Sequence, residues 1–295
     1  MVSTVINGRL GNQLFQYAFA YHLSKRFSTN FYLDQRLQTC ILPKYFEVTT
    51  GTFDFLDKHL FSISGYKNFF SHYLKTHFYK LTASFFFRKQ NQYSFSFDAS
   101  IEEVNQQLRD GVLLEGYFQS ALFFEDHEEE IRQKLTLKED IKVDYQKKIE
   151  QLAPNGEKIV AVHIRRTDYQ NLGILNAGND DLTLPPTYYH QLIAEIEKAY
   201  QNPYFIFVGD DLTFIEKEFG HVQNKHISRA DEITDLQHLI HADICVLSNS
   251  TFSWWGAYLN NKPDKIVYCP RYFLGFHIQQ TLPPDIYPNG WIQMN

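Results

Sequence analysis

An α/β protein built of two Rossmann-like halves is the fold class this sequence predicts, and three observations predict it. Fully apolar β-type runs alternate with helical stretches through the second half. The chain opens on a β-branched run, a glycine loop and a helical apolar pattern. Its 295 residues are about twice the length of one ordinary α/β domain.

In order along the chain, Val2 to Ile6 is the first strand, and Asn7-Gly8-Arg9-Leu10-Gly11-Asn12-Gln13 the loop that follows it. Leu14, Ala18 and Tyr21, with Phe15, Phe19 and Leu23 beside them, then recur at helical spacing. The loop is G-x-x-G-N rather than G-x-G-x-x-G, so no NAD or FAD site is indicated. Residues 58–97 hold no acidic side chain but carry Lys58, Lys67, Lys75, Lys80, Arg88 and Lys89 among aromatics that include Phe69, Phe70, Tyr73, Phe85, Phe86 and Phe87. Two readings stand side by side: a surface that leans on anionic lipid or a lipid-linked acceptor, or a helical part of the first domain whose basic residues face water. Glu125-Asp126-His127-Glu128-Glu129-Glu130 reads as the solvated first turns of a helix, where acidic groups suit the dipole.

From residue 158 the rhythm is regular. Strands are expected at 159–164, 204–208, 226–227, 244–247 and 265–269, and helices at 188–200, 212–219, 233–242 and 251–259. Apolar strands alternating with helices imply a parallel sheet covered on both faces, with ligands at the carboxyl ends of the strands. The onset of this pattern places a domain boundary at 155/156, giving domains 1–155 and 156–295.

Composition narrows the function. With 44% hydrophobic and 21% charged residues the chain buries an ordinary core and is not disordered. Its 26 Phe and 19 Tyr suit sugar-stacking surfaces, although most aromatics serve packing. A net charge of −6 argues against a general nucleic-acid binder. Cys40, Cys245 and Cys269 lie far apart, which encodes neither a disulfide framework nor a zinc site. The first residues lack a signal-peptide pattern and no stretch approaches a spanning helix, so a cytoplasmic enzyme with at most peripheral membrane contact is expected.

Four polar clusters fall at strand ends. His163-Ile164-Arg165-Arg166-Thr167-Asp168-Tyr169 sets two guanidinium groups and a carboxylate at a strand exit, suited to gripping a diphosphate, or else forming a structural ion pair. Gly209-Asp210-Asp211 offers carboxylates to a guanine base or ribose, or a helix N-cap. Ser248-Asn249-Ser250-Thr251-Phe252-Ser253-Trp254-Trp255-Gly256 runs from a strand into a helix whose free amides make a phosphate cradle, with the two tryptophans reading as core. The opening loop adds Arg9, Gly11 and Asn12, its alternative being a tight turn only. His238 and His241, three apart, read as a helix face because no third ligand accompanies them.

Taken together, G-R-L-G-N-Q-L-F-Q-Y-A, H-I-R-R-T-D-Y and S-N-S-T-F-S-W-W-G-A-Y-L resemble the signature of glycosyltransferase family 11, the α-1,2-fucosyltransferases. Gly116-Tyr117-Phe118-Gln119-Ser120 and Asp235-Leu236 also fit the family's habits. The resemblance implies a GT-B-type fold, with an N-terminal acceptor-side domain facing a C-terminal GDP-fucose-binding domain across a cleft. It implies an inverting transfer of L-fucose from GDP-β-L-fucose to the 2-hydroxyl of a terminal sugar, in family terms a β-galactoside on an oligosaccharide or lipid-linked glycan. A different donor sugar or linkage on the same fold, or a non-catalytic carbohydrate-binding protein, are the alternatives. By the same resemblance His163 contacts guanine and Arg165 the β-phosphate, with Arg166 secondary. Asp210 and Asp211 recognise guanine, Ser250 and Thr251 hold the diphosphate with Asn249 a further substrate-binding candidate, and Asn12, counted with Arg165 among the catalytic residues, lies with Arg9 beside fucose and acceptor. Tyr117 and Gln119 join them as substrate-binding candidates. No cofactor or metal is expected, and the absence of any strict D-x-D agrees. Asp168 is the candidate general base, its rival role being to orient an arginine.

Overall fold

The computed structural model describes residues 1–61, 69–153, 157–173 and 177–295. The chain divides into two compact units: unit 1 is Met1–Lys138 with Pro283–Asp285, and unit 2 is Glu139–Leu282 with Ile286–Asn295.

Unit 1 contains β1 (Val2–Val5), α1 (Leu10–Arg26), β2 (Phe31–Asp34), the short helices α2 (Leu42–Tyr45) and α3 (Asp54–Leu56), α4 (Phe69–Phe86), β3 (Gln92–Ser94), α5 (Ile101–Asn105), β4 (Leu113–Glu115) and α6 (Glu128–Lys134). The strands form a parallel sheet in the order β2-β1-β4-β3. Helix α1 is buried along nearly its whole length, polar residues included. Its glutamines tie it to the surrounding loops: Gln13 bonds the Gly8 carbonyl, the Thr39 carbonyl and the Ile41 amide, and Gln16 the Asn7 amide and the Gly116 carbonyl. Buried amides satisfied this way cost little and fix the helix in one register. The acidic run at 125–130 enters α6 through a short 3-10 turn, as the dipole argument requires.

Unit 2 contains α7 (Glu139–Leu152), β5 (Ile159–Ile164), α8 (Pro186–Ala199), β6 (Tyr204–Gly209), α9 (Leu212–Phe219), β7 (Lys225–Ile227), α10 (Glu232–Ile240), β8 (Ile244–Val246), α11 (Thr251–Leu259), β9 (Ile266–Pro270) and β10 (Ile292–Met294). Its six-stranded sheet is parallel throughout, in the order β10-β9-β8-β5-β6-β7. Because side chains alternate along a strand, Val160, Val162 and Ile164 of β5 pack with Phe205, Phe207 and residues of α8 and α9. Ala161 turns the other way, onto Leu239 and Ala257 of α10 and α11. Helices on both faces explain why these strands read as unbroken apolar runs. Two parallel α/β units are what a GT-B-type chain requires.

The units divide at Lys138/Glu139 rather than at 155/156. Helix α7 belongs to the second unit: the Tyr145 hydroxyl lies 3.0 Å from His238 Nδ1, its ring stacks on His241, and Lys148 donates to Thr234. Along α7 Tyr145 alone is buried, so the helix leaves little apolar periodicity to mark where the unit begins. His238 is thereby a packing residue, and the described residues hold no group of three or more His, Cys, Asp or Glu placed to take a metal ion. The three cysteines are buried free thiols.

Candidate functional site

In unit 2 the predicted residues gather along the carboxyl edge of the sheet. The central pair β5 and β6 ends in register, Ile164 opposite Gly209, and β8 flanks β5 on the other side. Residues just past these ends are therefore neighbours however far apart in sequence. His163 Nδ1 lies 2.8 Å from Ser248 Oγ, joining the β5 and β8 ends. Burial first, and then the nearby Arg165 charge, pull the His163 pKa down to about 3, so its imidazole is neutral at ordinary pH.

Arg165 lies between two carboxylates, with Nη2 2.7 Å from Asp168 and Nη1 2.9 Å from Asp210. Asp210 is the hub of the loop. One oxygen accepts the Arg166 amide at 2.8 Å and the other the Thr167 hydroxyl at 2.6 Å. Burial pushes the Asp210 carboxyl up, but the Thr167 hydroxyl, Arg165 and the Arg166 amide outweigh it and hold the pKa below the usual carboxylate value. Asp211 caps α9 by accepting the Phe214 amide, and Arg166 lies over the Phe214 ring at 3.8 Å with Nε 3.5 Å from Asp211. Both aspartates thus brace the arginine loop.

Ser250 caps α11 through the Phe252 amide, with Thr251 the helix's first residue. Asn249 is fully buried: its Nδ2 donates to the Leu182 carbonyl, and its Oδ1 has no hydrogen-bond partner among the described residues. Trp254 and Trp255 are core, and the Trp254 indole donates to the Ile286 carbonyl. One residue that the sequence names without giving it a role belongs to this edge. Asp235, in the first turn of α10, accepts the Ser228 hydroxyl at 2.5 Å, and burial, with Asp231 adding to it, raises its pKa to about 6. The signal in the sequence was the Asp235-Leu236 pair, without a position to give it meaning.

Unit 1 assembles a second cluster at the carboxyl ends of β1 and β4, which are adjacent strands. Gly8 has φ +80°, and a β-carbon there would lie 2.5 Å from the Asn12 amide, so glycine is required for the loop to close on α1. Asn12 Oδ1 accepts from Gln119 Nε2 at 3.0 Å, bringing the opening loop and the Gly116–Ser120 segment together. Arg9 is the exposed N-cap position of α1, and Gly11 is buried in its first turn. Phe118 takes a left-handed φ of +53°, an outlier for a bulky residue, and is held there by packing against Phe19 and Phe123. Beside it lies a shallow open depression lined by Phe95, Phe97, Tyr117, Gln119, Pro283 and Pro284 among others, none of them charged. Gln119 is 7% exposed, and its amide oxygen has no hydrogen-bond partner among the described residues.

Comparison with known proteins follows the same lines. The family model described as Glycosyl transferase family 11 matches residues 1–295. The chain is similar to the O-antigen biosynthesis glycosyltransferase WbnK of Escherichia coli, with 27% identity over 98% of this chain and 99% of the relative. It is also similar to an α-1,2-colitosyltransferase of Escherichia coli, with 26% identity over 97% and 96%. Among solved structures, the fucosyltransferase NodZ from Bradyrhizobium shares the fold at a TM-score of 0.50 and 15% identity, over 87% of this chain and 92% of that one. NodZ, an α-1,6-fucosyltransferase, has also been co-crystallised with GDP.

Proposed function

From the premise that this chain belongs to glycosyl transferase family 11, we propose that it moves L-fucose from GDP-β-L-fucose to the 2-hydroxyl of a terminal neutral sugar, with inversion and without a metal. The observation that carries the reading is Arg165, a guanidinium held by two carboxylates on the strand edge where Ser250 starts α11. A fixed cation with helix-start amides on the same sheet edge suits a diphosphate leaving group, and preorganised charge of this kind is the largest contributor to many transfer reactions. The co-crystallisation of NodZ with GDP supports the same nucleotide.

In this reading the acceptor oxygen attacks the anomeric carbon on the face opposite the diphosphate. The bond from the anomeric carbon to the β-phosphate oxygen breaks, GDP departs with the negative charge that grows on that oxygen and is stabilised by Arg165, and the acceptor hydroxyl proton passes to a carboxylate base or to water. Neutral His163 offers guanine a ring edge that adds no charge. With the carboxyl oxygens of Asp210 engaged within the loop and Asp211 capping α9, Asp235 is better furnished to accept the guanine N–H donors. Asp168, 42% exposed and bonded to Arg165, orients that arginine first and serves as base only if it lets go. The uncharged aromatic depression of unit 1 suits the acceptor, whose ring faces pack on its walls, while the buried Gln119, tied to Asn12, holds the lining segment in place.

A second donor is favoured by one observation, the 26% identity to an α-1,2-colitosyltransferase. Turnover of GDP-fucose with a panel of β-galactoside, glucoside and N-acetylgalactosaminide acceptors in EDTA tests donor, acceptor and metal need together. An α-1,2-fucosylated product is expected. A colitose donor consumed in preference, a requirement for added metal, or an absence of saturable GDP binding would each overturn the corresponding part.

A further inference from the structure

The basic, aromatic segment around α4 resolves into two faces with different fates. Inward, Lys75 is buried against the Gln35 amide oxygen at 2.5 Å and Asp57 at 3.8 Å, while Tyr79 donates to Asp57. Tyr79, Ala83 and Phe87 complete that face in the core of unit 1. This network fixes the rotation of the helix, so its other face is presented to solvent by construction. There Leu74, Leu81 and Phe85 stand at spacings of seven and four, one stripe along the helix. Leu81 is 71% and Phe85 81% exposed, and Tyr73, Phe86, Phe55 and Leu60 are exposed as well. Lys80, Arg88 and Lys89 border the stripe, all exposed, and no acidic residue occurs from 58 to 97. Lys67 lies outside the described residues.

We infer that this face of α4 is a peripheral docking surface for an anionic lipid bilayer, with Leu81 and Phe85 entering the acyl boundary and Lys80, Arg88 and Lys89 meeting lipid phosphates. Charge complementarity selects the occupant. A second copy of the chain pairing through the same patch would set these cations against their own counterparts. A chain with a net charge of −6 that reserves one acid-free stretch around Leu81 and Phe85 suits a negatively charged surface with an apolar interior. No helix among the described residues is long and apolar enough to cross a membrane, so the contact lies in the interface plane.

Co-sedimentation of the full chain with vesicles tests this. Vesicles of phosphatidylcholine and phosphatidylglycerol in equal parts should pull the protein down at low salt, and phosphatidylcholine alone or high salt should release it. The pairs Leu81→Ser with Phe85→Ser, and Lys80→Glu with Arg88→Glu, should each weaken partitioning about tenfold or more while GDP affinity stays that of the parent. The inference is overturned if the parent ignores anionic vesicles, or if both variants sediment as it does. It is equally overturned if the patch proves to join two copies, shown by a concentration-dependent dimer that Leu81→Ser with Phe85→Ser abolishes.

Discussion

Both units of this molecule gather their polar residues at the carboxyl ends of parallel strands, yet they furnish that edge in opposite ways. Unit 2 spends charge: Arg165, Arg166, Asp168, Asp210 and Asp211 hold one another in an ion-paired loop. Unit 1 spends none in its depression, where buried amides and aromatic rings set the shape and a strained Phe118 turns the lining segment. In the proposed reading the difference lets one architecture serve two chemistries, since a diphosphate must be neutralised at a fixed point whereas a neutral sugar needs a shaped, uncharged surface.

The comparison can be broken most easily at its charged end. Arg165→Ala should lower kcat/KM by about 10²–10³-fold and weaken GDP binding in calorimetry. An intact rate would remove the cation from the reaction. Next in size, Gln119→Leu should raise KM for the acceptor about tenfold while GDP affinity is unchanged, because an apolar side chain cannot donate to Asn12 and the lining segment loses that tie. A matching loss of GDP affinity would show that the neutral edge does not act on the acceptor alone.

Asp168→Asn sharpens the choice between base and brace. As a brace of Arg165 its loss should cost roughly fivefold in both kcat and GDP affinity, the modest worth of a half-exposed pair. A fall of about 10²–10⁴-fold in kcat with GDP binding retained would make it the base instead. The smallest effect concerns stability. The folded pKa of Asp235, about 6, lies above the ordinary 3.8, so the folded state holds that proton more tightly than the unfolded chain. Its destabilising contribution therefore grows as pH rises from about 4 to about 6 and stays in full above that. Asp235→Asn should raise Tm by about 2–4 °C at pH 8, with the gain gone below about pH 4, and GDP affinity should fall in the same variant. A destabilised Asn variant at pH 8 would mean that burial is not what raises this carboxyl.

Legibility in the sequence followed burial. The strands of the large sheet announced themselves because helices cover both faces, and α10 and α11 because their apolar faces are broad. Helix α7, with Tyr145 alone buried, and the three-residue strands β3, β4 and β10 carried too little pattern to read. The site was legible as motifs but not as bonds. Nothing in H-I-R-R-T-D-Y reveals that Asp210, in register across β6, takes both the Arg166 amide and the Thr167 hydroxyl. Nor does Gly116–Ser120 disclose its tie to Asn12, 107 residues earlier in the chain. Such partners are set by strand order, which a linear text does not contain.

The return of Pro283–Asp285 to unit 1 has a bearing on how the protein is made. Ser120 donates its hydroxyl to the Asp285 carbonyl, and Pro283 and Pro284 wall the aromatic depression. During synthesis on the ribosome the N-terminal sheet can form early, but its aromatic depression lacks a side until Pro283 to Asp285 have been translated. A fragment cut at Lys138 would be released with that wall missing.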